Sequence, residues 1–181
     1  GPTVALWWSG NGRAWTRVHD IGNEAAWSIG AGEEGFVVAG TRTTQSVPWA
    51  IASADGREWF EAVTPPGAAA GVAPRGGDWV AMSRDPAGVP GLPSVAEVWS
   101  SANGLDWNVT GDFPLPSIEV SEGTNCTEIP VALYSAGPWL VASTMLSFGC
   151  SEGGVQTQGA QLISVDGVTW SPLPFAPISD Q

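Results

Sequence analysis

Hydrophobic and polar positions alternate in short stretches that Gly, Pro, Ser and Asn interrupt, and nowhere do they hold a helical period over about twelve residues. The most helix-like run, Ala68-Ala69-Ala70, is fenced by Pro65, Pro66 and Gly67 before it and by Pro74 after it. The pattern therefore predicts strands throughout. It also repeats. Ser9-Gly10-Asn11-Gly12-Arg13-Ala14-Trp15, Ser53-Ala54-Asp55-Gly56-Arg57-Glu58-Trp59, Ser101-Ala102-Asn103-Gly104-Leu105-Asp106-Trp107 and Ser164-Val165-Asp166-Gly167-Val168-Thr169-Trp170 share one signature, spaced by 44, 48 and 63 residues.

Asn-Gly and Asp-Gly tolerate positive φ at the centre of a tight turn, so each unit is expected to be a two-residue β-hairpin. That register would set Ser53 against Glu58, Ala52 against Trp59 and Trp8 against Trp15. The residue two before the Ser is always large and apolar (Trp7, Ile51, Trp99, Leu162). It is expected on the face opposite the Trp, so that both faces of the hairpin are buried. A second unit recurs between the first: Gly35–Gly40, Gly77–Ser83 and Gly137–Ser143, preceded by Ala26–Ile29, Ala69–Ala73 and Val131–Ser135. Inner pair, loop, outer pair makes four antiparallel strands. The expected architecture is an all-β propeller of about three and a half to four such blades, in one domain over 1–181.

The four hairpins resemble the Asp-box, or bacterial neuraminidase repeat, of sialidase-like, sortilin-like and photosystem-assembly-factor propellers. The usual box has a residue between the Asp and the Gly that all four copies here lack. That shortening brings the chain closer to propeller repeats of exported bacterial proteins without assigned chemistry. The resemblance implies a structural role, away from the ligand face, for Asn11, Gly12, Asp55, Gly56, Asn103, Gly104, Asp166 and Gly167, and for Trp15, Trp59, Trp107 and Trp170. It implies no catalytic residue.

Composition narrows the partners. Of 181 residues, 18 are acids and 6 are bases, all Arg, giving a net charge of −12, and no base follows Arg84. Such a field repels phosphate backbones and anionic membranes, and no apolar run reaches the ~18 residues of a spanning helix. With 24 Gly, 15 Pro and 11 Trp there is little room for helices. Gly1-Pro2 reads as the scar of a tag-cleaving protease, which would place the native start upstream. Two cysteines, Cys126 and Cys150, lack metal-site spacing and fit one disulfide in a secreted or cell-surface bacterial protein.

Catalytic signatures are weak on inspection. Sialidases need an arginine triad, a Tyr–Glu nucleophile and a Phe/Tyr-Arg-Ile-Pro motif. This chain has no such motif and a single Tyr, Tyr134, in an inner-strand repeat. Gly149-Cys150-Ser151-Glu152-Gly153 spells a nucleophile elbow, but Gly154 follows where a helix is required, and the single His, His19, lies upstream. His19 is read as a solvated loop residue. Glu33-Glu34 is turn-like, while Glu119, Glu122 and Glu128 are read as members of one acidic loop. No metal or cofactor is expected.

Strand alternation assigns the remaining loops. The Asp/Asn-Gly turns and the inner-pair turns share one edge of the sheets, and Thr41–Pro48, Met82–Val95, Phe113–Glu128 and Leu146–Gln158 collect on the other. Cys126 and Cys150 fall on that second edge. A bridge closing their ~25-residue span would contribute roughly 3 kcal/mol and pin the loops carrying Glu119, Glu122, Glu128 and Glu152. The function read from the sequence is a non-catalytic, extracellular interaction module with a protein or glycan partner, and a homodimer could complete the propeller. The alternative is a carbohydrate-active propeller, lectin or hydrolase, with part of its site outside these residues.

Overall fold

The computed structural model describes residues 4–22, 24–42, 47–66, 69–83, 96–114, 117–121, 124–146 and 160–173. All regular structure among them is antiparallel β, with no helix. The first hairpin pairs β1 (Val4–Trp8) with β2 (Thr16–Gly22) and stands as a two-stranded sheet. Next comes the four-stranded sheet of β3 (Ala25–Gly32), β4 (Gly35–Arg42), β5 (Val47–Ser53) and β6 (Phe60–Glu61). A second four-stranded sheet joins β7 (Ala69–Arg75), β8 (Asp78–Ser83), β9 (Ala96–Ser101) and β10 (Asn108–Phe113). The last sheet has five strands: β11 (Ser117–Ser121), β12 (Thr124–Ala136), β13 (Trp139–Leu146), β14 (Gln161–Ser164) and β15 (Ser171–Pro172). In each of the three larger sheets consecutive strands are neighbours, as short connections require.

One apolar core fills each gap between successive sheets. Leu6 and Ile21 of the first hairpin meet Val38, Trp49, Ile51 and Trp59. Val37, Ala39, Ala50 and Ala52, on the other face of the same strands, pack on Val72, Trp79, Ala81 and Trp107. Val80, Met82, Val98 and Phe113 then pack on Leu133, Leu140, Leu162 and Trp170. The period of two in the strands supplies both faces: Val37 faces one core and Val38 the other. The small residues of β3 and β7 serve a second purpose, since β3, β7 and β12 lie side by side. There the Gly30 Cα faces the Val72 carbonyl, and Gly71 faces the backbone of Leu133.

The hairpin register differs from the expected one. Trp8 pairs with Thr16, Ala52 with Phe60, Ser100 with Asn108 and Ile163 with Ser171. The ladder therefore resumes one residue after the Trp in every unit, and the segment from after the Ser through the Trp is loop. Trp59 and Ile51 share one core, as do Trp107 and Trp99, and Trp170 and Leu162. The Trp is thus on the same side as the apolar residue before the Ser. Both faces of the β5 and β9 hairpins are still covered, because neighbouring strand residues enter the next core, whereas the β14 hairpin enters one core only.

Candidate functional site

The four loops are built by side chains that substitute for ladder hydrogen bonds. Asp55 Oδ1 accepts from the amides of Arg57 at 2.8 Å and Glu58 at 3.2 Å. Asn11, Asn103 and Asp166 accept from the amides two and three residues on in the same way. The Ser hydroxyl donates to that oxygen in all four units. In three of them its Oγ also accepts from the buried glycine amide, at 2.8–2.9 Å for Gly56, Gly104 and Gly167. Ser9 accepts instead from Asn11 N at 3.4 Å. Trp59 and Trp107 close their loops by donating from Nε1 to the carbonyls of Gly56 and Gly104. The Asx acceptor bonds, common to all four units, explain why the ladder resumes only after the Trp.

Each of the last three loops leans on the sheet before it. Arg57 stacks over the Trp8 ring with its guanidinium carbon 4.0 Å from the centroid. Arg75 of β7 donates to the Asp166 carbonyl. Thr64, just past β6, bonds the amide and carbonyl of Trp107. The box tryptophans are buried accordingly: Trp107 is 3% exposed, and Trp15, which has no preceding sheet, is 58% exposed. The amides of Thr169 and Val168, then the Ser164 hydroxyl, hold the Asp166 carboxyl well below the usual carboxylate range. The amides of Arg57 and Glu58 lower Asp55 in the same way. Their lone pairs are used within the loop, which is a structural task.

The loops and the inner-pair turns share an edge, because Phe36 pairs with Ser53, Trp79 with Ser101 and Leu140 with Ser164. On the opposite edge, Phe113–Glu128 is not one irregular loop. Ser117 pairs with Thr127, Ile118 with Cys126 and Glu119 with Asn125, so β11 and the start of β12 form a hairpin arm. The rest of β12 pairs with β13 and ends at the box edge. The arm therefore extends from the far edge. Glu119 lies in β11 and Glu128 in β12. Glu122, Glu152 and Cys150 lie outside the described residues, and with Cys150 the expected bridge to Cys126 of β12. Among the described residues, the expected Thr41–Pro48 loop shortens: β4 runs to Arg42 and β5 starts at Val47.

One further feature escaped the sequence reading. A cleft of about 320 Å³ opens between the first hairpin and the second sheet, lined by His19, Asp20, Glu24, Trp49, Trp59 and Glu61 among others. His19 is not in a loop. It is a half-buried residue of β2, paired with Leu6. It lies on the core-facing side of the hairpin, lining the cleft beside Ile21, Trp49 and Ile51. Arg42 bridges Glu24 and Glu61, and Arg17 pairs with Asp20. The Trp49 indole N–H has no acceptor among the described residues. Tyr134 sits in β12 and is exposed. No three His, Cys, Asp or Glu side chains among the described residues are grouped as metal ligands. Neither a family model nor a characterised protein matches this sequence.

Proposed function

We propose that the chain is a non-catalytic β-propeller interaction module of the Asp-box type, exported, whose binding edge is the one opposite the box loops. The observation that carries this reading is the division of labour between the two edges. On one edge, Ser, Asx and Trp spend their hydrogen-bonding capacity inside their own loops. On the other, an arm carrying Glu119 extends from the sheet, with Glu128 at its base, where β12 begins to pair with β13. Extensions on a rigid scaffold are where recognition residues concentrate. The acidic balance favours a protein or glycan partner with basic or hydroxyl-rich groups. The test compares wild type with the variant Glu119→Gln, Glu122→Gln, Glu128→Gln on a glycan array and a panel of surface proteins. Loss of binding at unchanged melting temperature supports the assignment. Binding that survives this variant but is lost in Asn103→Ala overturns it.

The cleft favours a second reading, a carbohydrate-binding propeller. Carboxylates alternating with indole faces are the chemistry with which proteins hold sugars. Oligosaccharide titration followed at the Trp59 and Trp49 indole N–H resonances separates the two, because the first reading leaves both unmoved.

A further inference from the structure

β3, β7 and β12 are equivalent strands, and each carries a one-residue bulge at the same place, between Ala26 and Ser28, Ala69 and Gly71, and Pro130 and Ala132. Counting from the bulge, Ile29, Val72 and Leu133 hold the same position. Val72 is 2% exposed and Leu133 5%, but Ile29 is 62% exposed. The reason is visible at the two covered positions. Val72 is capped by β3, whose Ser28 hydroxyl accepts from the Val72 amide at 3.0 Å and whose Gly30 lies against the Val72 carbonyl. Leu133 is capped by Gly71 of β7. The corresponding strand beside Ile29 would belong to the sheet before it, which among the described residues consists of β1 and β2.

Among the described residues, the same sheet also has an unpaired edge. β1 ends at a box loop, as β5, β9 and β14 do, and those three strands are paired on both sides. Among the described residues β1 pairs with β2 only. An unpaired edge beside an uncovered apolar residue defines a hairpin-shaped vacancy.

We infer that β1 and Ile29 form a docking site for one β-hairpin partner. That hairpin would be built like the inner pairs: its second strand would add antiparallel to Val4–Trp8, and its first would carry a glycine against Ile29. A second copy of this chain is a poor fit, because its three inner pairs are already bonded to β5, β9 and β14.

The probe is a synthetic peptide with the sequence of Ala69–Ser83, titrated by calorimetry and followed by amide exchange. The expected result is saturable binding that slows exchange of alternate amides in Val4–Trp8. Replacing the glycine of the peptide that corresponds to Gly71 by Val weakens binding by about tenfold or more. Ile29→Ser in the protein does the same, while its melting temperature moves by less than about 3 °C because the side chain is exposed. Three results would overturn the inference: no binding up to the solubility limit of the peptide, Val4–Trp8 amides already protected in the free protein, or a dimer in sedimentation that Ile29→Ser dissociates, which would assign the face to a second copy.

Discussion

A Cβ added to Gly104 would stand 2.6 Å from Val37 Cγ2, so the box loop of the third unit is seated directly on the sheet before it. Gly104 also has φ of 74°, in the left-handed region that glycine occupies without strain. Gly12 has nearly the same backbone, with φ of 69°, but open space around it. Gly12→Ala should therefore cost about 1 kcal/mol, from backbone strain alone. Gly104→Ala adds overpacking and should cost about 2–4 kcal/mol. Denaturant midpoints measure both, and equal costs would refute the seating.

The serine hydroxyls are graded in the same way. Ser101→Ala removes the acceptor of the buried Gly104 amide and should cost about 1–3 kcal/mol. Ser9→Ala affects an exposed loop, where the two Ser9 contacts are 3.3 and 3.4 Å long, and should stay within about 0.5 kcal/mol.

Much of the fold was legible in the sequence because the repeat is legible: the Asx-Gly turns, the apolar residue before each Ser and the glycine-led inner strands all mark real elements. The register was not, because reading Asp-Gly as a two-residue turn weighs only the backbone freedom of the glycine. The constant Ser two residues before the Asx was the missed signal, since its hydroxyl supplies an acceptor that the backbone ladder then does not need. The β11–β12 arm was hidden by its acids. Ile118 and Val120 alternate with Ser117, Glu119 and Ser121, a period of two that the charge drew into a loop reading. The cleft had no sequence signal at all: His19, Glu24, Trp49 and Glu61 meet only through the packing of two sheets.

The cysteine bridge is a separate test. Alkylation without reduction should leave the mass of the purified protein unchanged if Cys126 and Cys150 are joined. Reduction should then lower stability by roughly 3 kcal/mol for a loop of this length. Two alkyl groups on the unreduced protein would rule the bridge out.

The mixture of Asn and Asp at one loop position makes acid sensitivity separable from structure. Asn11 and Asn103 accept the same two amide bonds as Asp55 and Asp166 without titrating. Both Asp carboxyls have folded pKa values lowered from 3.8 by those amides. A lowered folded pKa means that the unfolded chain binds protons first as pH drops. The stabilisation is therefore complete above the ordinary value near 3.8 and fades as pH falls from there through the folded values. The double variant Asp55→Asn, Asp166→Asn keeps the loop geometry and loses the charge-assisted part of each bond. It should melt below wild type at pH 6, and the gap should close as pH is lowered from about 4 towards 2. Melting curves of the two proteins across that range read the difference directly, with the other sixteen acids common to both. A gap that stays constant down to pH 2 would mean that the carboxylate charge contributes nothing that the amide oxygen does not.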